Sequence, residues 1–218
     1  KMIEEDKHWY LFFATEQGLV KRVDISEFEN IRQTGKIVIK LKEDDSLVGV
    51  KLTKGDDEIL IAASNGKLVR FSEGHVRPMG RSASGVRGIN VDGSKVIGMT
   101  TNREGQLIMV VTEKGYGKMS PIDEYRVSNR GGKGVKTINV TERNGQIVAI
   151  RAVEGNEDLL IITDDGIVIR LPMEQVKTEG RATQGVRLIK VHDSKVSSVE
   201  VVAKNEEEVV EEGEEESE

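Results

Sequence analysis

Along the chain, short runs of β-branched and aromatic residues alternate with polar positions, and glycine or acidic turns interrupt them. Within residues 10–52 alone stand "YLFFAT", "LVKRV", "KIVIKL" and "LVGVKL". A period of two is that of a strand with one face buried. Helical periodicity is nearly absent, and only stretches as brief as Ile25 to Phe28 suit a helical turn. The pattern predicts an all-β domain.

The strands are grouped. Four segments share a strand–turn–strand plan: "FFATEQGLVKRV", "LIAASNGKLVRF", "IMVVTEKGYGKM" and "LIITDDGIVIRL". Their turn glycines, Gly18, Gly66, Gly115 and Gly166, are spaced by 48, 49 and 51 residues. Each follows a polar or charged residue, as a tight hairpin with positive φ requires.

A second block follows each hairpin: "RQTGKIVIKL", "RSASGVRGINV", "RGGKGVKTINV" and "RATQGVRLIKV". Its loop glycines, Gly35, Gly85, Gly134 and Gly185, are spaced by 50, 49 and 51, and lie 17, 19, 19 and 19 residues after their hairpin glycines. Two markers that keep step across four units define a repeat. A further strand closes each unit: "LVGVKL", "KVIGMT", "IVAIRAV" and "KVSSVEVV".

A repeat near fifty residues with about four strands is the signature of a propeller-like array with one small sheet per unit. Such a sheet cannot bury both faces alone, so the units must stack. The expected organisation is a lead-in over 1–8, a β domain over 9–203 with blades near 9–56, 57–105, 106–156 and 157–203, and a tail over 204–218. The WD and Kelch signatures are missing.

Charge changes the picture in two places. Residues 204–218 carry nine Glu and one Lys, and without them the net charge of −6 becomes +2. A like-charge run without hydrophobic period reads as a disordered tail, either solubilising or competing for a basic surface. The absence of cysteine excludes disulfides and thiolate metal sites and points to a reducing compartment. No apolar run is long enough to span a bilayer. The reading is a soluble, cytoplasmic protein with no membrane partner.

The cations keep the repeat's step. Arg22, Arg70 and Arg170 lie four residues after their hairpin glycines, and Lys21 and Lys118 lie three after theirs. Arg81, Arg130 and Arg181 precede the loop glycines by four, and Arg87, Lys136 and Arg187 follow them by two. The first unit has Ile31 and Ile37 there, flanked by Arg32 and Lys36. Lys67, Arg126 and Lys133 complete the candidate DNA-binding set. Equivalent units would bring these side chains to one part of the outline, a basic band suited to a polyanion. The alternative is that they solvate the outer strands.

Aromatic residues make up 4% of the chain and none recurs among the cations, which argues against a single-strand binder. No recognition helix or zinc finger is present. Backbone contact with duplex DNA that bends easily remains.

Catalysis finds no support. "GGKGV" lacks the spacing and hydroxyl of a phosphate loop, and "GYGKMS" lies in a hairpin with no helix after it. The pairs Asp44–Asp45, Asp56–Asp57 and Asp164–Asp165 stand in turn contexts, where Asp serves the backbone. Trp9, Tyr10, Tyr116 and Tyr125 read as packing residues and His75 as a solvated loop residue.

The stretch "YRVSNRGGKGVKT", with "GRSASGVRGI" and "GRATQGVRLI", resembles the C-terminal domain of the DNA gyrase A subunit, in the type IIA topoisomerase family. The resemblance covers 9–203. It implies a β-pinwheel, a six-bladed disc whose blades exchange strands and whose basic rim wraps duplex DNA. It also implies a bacterial, nucleoid-associated setting and, as partners, the remainder of the gyrase A subunit and the gyrase B subunit. ATP and Mg then belong to other parts of an ATP-dependent negatively supercoiling enzyme, with no cofactor in this chain. The family's box, Gln-Arg-Arg-Gly-Gly-Lys-Gly, is approached only by "SNRGGKG" at 128–134, in the third repeat. Ser128 and Asn129 replace the first two residues, and the four repeats resemble blades three to six of the family, expected either from a truncated domain, the favoured reading, or from a genuinely short one. The equivalent domain of topoisomerase IV and a protein-interaction propeller are the alternatives.

Overall fold

The computed structural model describes residues 8–204. Unit one contributes β1 (Tyr10–Thr15), β2 (Leu19–Asp24) and β3 (Leu47–Thr53). Unit two contributes β4 (Glu58–Ala63), β5 (Lys67–Ser72), β6 (Val86–Arg87) and β7 (Val96–Thr101). Unit three contributes β8 (Leu107–Thr112), β9 (Tyr116–Pro121), β10 (Val135–Lys136) and β11 (Ile147–Val153). Unit four contributes β12 (Asp158–Thr163), β13 (Val168–Pro172), β14 (Val186–Arg187) and β15 (Val196–Val202). A short 3-10 turn follows each hairpin, the first over Ile25–Phe28.

The hairpins form where the turn glycines adopt left-handed φ: +91° at Gly18, +86° at Gly66, +82° at Gly115 and +86° at Gly166. A side chain would be strained there. The closing strand of each unit pairs antiparallel with the first strand of its own hairpin, and a register shift marks the end of the pairing.

The fourth strand of each sheet comes from the following unit. Sheet orders are β3-β1-β2-β6, β10-β5-β4-β7 and β11-β8-β9-β14, with β13-β12-β15 for unit four. Thus β6 pairs with β2, β10 with β5 and β14 with β9. Gly134 shows why glycine precedes the exchanged strand: its φ is +78°, and a Cβ would stand 2.6 Å from the Leu68 carbonyl carbon.

One expected strand is missing. "KIVIKL" alternates like its neighbours, yet residues 36–41 form no strand. In the other units the equivalent residues pair on the hairpin of the preceding unit, and no hairpin precedes β1 among the described residues. Alternation alone does not make a strand without a ladder to join.

The core lies between successive sheets. Ile59, Ile61 and Ala63 pack towards Phe12, Ala14 and Val20 of unit one, whereas Leu60, Ala62 and Leu68 pack against Ile108 and Val110 of unit three. Met109 and Val111 then face Leu159 and Ile161 of unit four. Each alternate residue serves a different neighbour, which is why β4 is apolar over residues 59–63 and β8 over 107–111 and both still obey a period of two. Each Val, Leu, Ile, Met or Phe side chain so buried contributes about 1.5–3 kcal/mol. The closing strands follow the same succession, β7 packing against both β3 and β11, and β11 against β15.

Candidate nucleic-acid interface

Strand exchange determines where the loop cations go. Arg87, Lys136 and Arg187 occupy the second position of β6, β10 and β14, and all three are exposed. The loop arginine of the next unit reaches each of the first two junctions. Arg130 Nη1 donates to the Arg87 carbonyl at 2.9 Å and its Nε to the His75 carbonyl at 3.0 Å. Arg181 Nη1 donates to the Lys136 carbonyl at 2.9 Å.

The backbone joins the same loops. Gly131 N–H donates to Gly88 O at 2.6 Å, Asn90 N–H to Gly132 O at 2.8 Å and Asn139 N–H to Thr183 O at 2.8 Å. The loops of units two, three and four therefore form one continuous band. Arg87, Arg126, Arg130, Lys136, Arg181 and Arg187 are in no ion pair among the described residues. Carbonyl partners orient Arg130 and Arg181 without neutralising them. Cations nearer than a Debye length, about 8–10 Å, add their fields.

Other candidates sit around this band with part of their charge used. Arg81 Nε meets Glu27 at 3.3 Å and Lys133 Nζ meets Asp92 at 3.0 Å. Lys67 faces Lys136 across the β5–β10 pair. Lys36 Nζ donates to the Glu27 carbonyl at 3.1 Å, and Arg32 is exposed.

Most of the cations that follow the hairpin glycines are placed differently, and four expectations need correction, those for Lys21, Lys118, Arg22 and Arg70. Lys21 and Lys118 are fully buried. Lys21 Nζ donates to the carbonyls of Val38, Arg81 and Ala83 at 2.8, 2.5 and 2.9 Å. Lys118 Nζ donates to Ser120 Oγ at 3.0 Å and to the Gly180 carbonyl at 2.6 Å. Burial lowers both ammonium pKa values, that of Lys118 to about 8. These lysines hold the underside of the loops that carry Arg81 and Arg181, and neither can touch DNA.

Arg22, buried, reaches Glu73 and lies over the Tyr10 ring with its guanidinium carbon 4.4 Å from the centroid. Arg70 Nε donates to Glu58 at 2.7 Å and its Nη1 to the Ile122 and Tyr125 carbonyls at 2.9 Å each. Arg170 pairs with Asp158 at 2.7 Å and donates to the Ala203 carbonyl. Arg22 and Arg70 are spent on the fold, whereas Arg170 stays exposed with part of its charge used.

The acidic pairs behave as turn residues. Asp44 holds φ at +58°, Asp164 accepts from the Lys195 N–H, and Asp57 pairs with Arg103 at 2.6 Å. Trp9 is covered by Lys54 and Arg103, and Tyr125 is buried against Thr137. Of the expected tail over 204–218, residues 205–218 lie outside the described residues, and of the lead-in over 1–8, residues 1–7 do. Two cations that the repeat pattern missed, Arg143 and Lys190, stand beside Arg187 around Tyr116. Arg143 belongs to "TERNGQ", the turn before the closing strand, which is longer in unit three than in units two and four, so no matched spacing marks it.

A family model described as "DNA gyrase C-terminal domain, beta-propeller" matches residues 10–54, 57–102, 106–154 and 157–203, one segment for each unit. The chain belongs to the DNA gyrase C-terminal domain family. It is 50% identical over 208 residues to the DNA gyrase A subunit of Staphylococcus epidermidis, covering 94% of this chain and 23% of that protein. It is 47% identical over 215 residues to the DNA gyrase A subunit of Staphylococcus aureus strain MRSA252, covering 97% and 24%. The chain thus spans about a quarter of the length of these relatives.

Among solved structures, a DNA gyrase A C-terminal domain superimposes with a TM-score of 0.81 at 22% identity, over 90% of this chain and 66% of that one. The C-terminal domain of a DNA topoisomerase IV gives 0.85 at 23%, over 93% and 64%. These two likenesses establish the fold, the β-pinwheel of the DNA gyrase C-terminal domain family.

Proposed function

We propose that this domain binds duplex DNA along the band of exchanged loops and bends it, as the non-catalytic wrapping module of the DNA gyrase A subunit. The observation that carries the reading is the alignment of Arg87 with Arg130 and Lys136 with Arg181 at successive junctions, none of the four in an ion pair among the described residues although the Arg181 backbone N–H donates to Glu124. A duplex lying across units two to four would meet a cation pair at each of these junctions. Backbone contacts of this kind position DNA without reading its sequence. Easily bent sequences are favoured because following the arc costs less. The 46–50% relatives are gyrase A subunits, which favours gyrase over topoisomerase IV. The domain would serve ATP-dependent negative supercoiling by the whole enzyme in the bacterial cytoplasm, at the nucleoid. The remainder of the gyrase A subunit and the gyrase B subunit would supply cleavage and ATP hydrolysis.

Measuring duplex affinity between about 50 and 200 mM salt tests this, because each phosphate neutralised adds about 0.9 to the log–log slope. The double variant Arg87→Ala/Lys136→Ala should lose close to two such contacts, lowering the slope by about 1.8 with the fold intact. An unchanged slope would leave the band without a DNA role and favour a protein-interaction propeller.

A further inference from the structure

The junction between units three and four differs from the others. β9 begins on Tyr116, where β2 and β5 begin on Leu19 and Lys67. Opposite Tyr116 in the exchanged pair stands Arg187. Arg187 Nη2 donates to the Tyr116 hydroxyl at 3.0 Å, and Arg143 Nε donates to the same oxygen at 3.0 Å. Both guanidinium carbons also lie over the ring, 5.4 and 5.5 Å from its centroid. Two full positive charges therefore converge on one neutral oxygen, and neither arginine is in an ion pair among the described residues.

The phenol oxygen accepts both N–H groups, so its own proton remains to be given away. The guanidiniums hold the Tyr116 hydroxyl below the ordinary phenol range. This group borders a cavity of about 460 Å³ that Lys114, Lys190, His192 and Lys195 also line. Lys114 donates to the Glu142 carbonyl, and Lys195 pairs with Glu113 at 3.2 Å. Among the described residues, Lys190 is exposed and in no ion pair, and Asp193 is the one carboxylate lining the cavity.

We propose that Tyr116, Arg143, Arg187 and Lys190 form a discrete seat for a phosphate group, offering two guanidinium forks, a phenol O–H and an ammonium to a single dianion. Charge-assisted bonds of this kind are about twice as strong as neutral ones, and planar guanidinium suits phosphate oxygens. The shared chemistry is phosphate, supplied either by the DNA backbone or by a free polyphosphate. The DNA source rests on the band reading above, whereas the seat itself does not. It would make one junction of the band a fixed point where the others provide only diffuse attraction.

The test uses inorganic pyrophosphate as probe, followed by calorimetry at constant ionic strength on the intact chain, its Tyr116→Phe and Arg143→Gln variants, and Lys177→Gln as a remote charge control. Each seat variant should weaken pyrophosphate binding about tenfold while the control leaves it unchanged. Pyrophosphate should also perturb the near-ultraviolet phenol spectrum of the parent chain and not that of Tyr116→Phe. Equal binding by parent and seat variants, or none by the parent, would overturn the seat and leave the band reading untouched. If pyrophosphate displaces duplex DNA from the parent more effectively than from Tyr116→Phe, the source is a backbone phosphate. If the seat binds pyrophosphate and DNA affinity is unaffected, the source is a free anion. If the parent binds pyrophosphate and no DNA, the band reading fails and the seat stands.

Discussion

Gly134 and Gly35 form a matched pair for testing whether strand exchange holds the loops of the cationic band. Both stand at the same place in the repeat, and both have φ of +78°. They differ in surroundings: a Cβ on Gly134 would overlap the Leu68 carbonyl group and come within 3.0 Å of Val69, whereas one on Gly35 meets nothing within 4 Å. Gly→Ala at either position carries the left-handed penalty of about 1–2 kcal/mol. At Gly134 the chain must also retreat by roughly 1 Å to reach ordinary contact distance. That movement breaks the Val135↔Leu68 pairing that defines β10. Two ladder hydrogen bonds at about 0.5–1.5 kcal/mol each bring the total to about 3–4 kcal/mol. Urea unfolding should therefore place Gly134→Ala about 2 kcal/mol below Gly35→Ala, a gap of roughly 4–8 °C in Tm. Hydrogen exchange should accelerate at residues 129–138 in the Gly134 variant alone, and duplex affinity should fall with it. Equal destabilisation by the two substitutions would refute the reasoning, because the shared φ would then account for everything.

The remaining predictions concern buried charge and the tail. Lys118 has a folded pKa of about 8, below its unfolded value near 10.4. Below pH 8 both states are protonated and the cost of burial is fully present; between about pH 8 and 10 only the folded state sheds its proton, so stability rises with pH. The parent should gain on Lys118→Met across that window in paired unfolding curves, and parallel curves would contradict the assignment. Glu73, fully buried, accepts from Gly55 N–H, Asp57 N–H and Thr53 Oγ1 and meets Arg22. Glu73→Gln should cost about 3 kcal/mol by urea unfolding, and a loss under about 1 kcal/mol would show that Arg22 finds other compensation. Removing residues 204–218, with their nine Glu, should tighten duplex binding at low salt; no change would leave that segment a solubilising role.

The repeat was legible because positive φ imposes glycine at fixed places, and eight such glycines kept step. The exchange partners were not, since a two-residue strand such as Val186–Arg187 carries no local mark of its pairing with Gly117 and Tyr116. The split between structural and exposed cations was half legible. Lys21 shares its side of β2 with Val23, which is buried. Period-two parity could have placed this lysine inside, against the habit of reading every lysine as exposed. The Tyr116 cluster was hidden because Arg143 arrives from a turn 27 residues later whose length departs from that of its counterparts in units two and four.

Strand exchange also bears on how such an array changes length. Every internal unit gives one strand backwards and accepts one from ahead, so what it lends equals what it borrows. Inserting or deleting a whole repeat at any of the matched boundaries would therefore preserve every remaining junction. Growth by duplication would create one new junction, in which a copied strand meets a hairpin that already accepts a strand of the same kind. The phosphate seat would be the exception, since it takes Tyr116 and Arg143 from unit three and Arg187 and Lys190 from unit four, and would survive only where those two units stay adjacent.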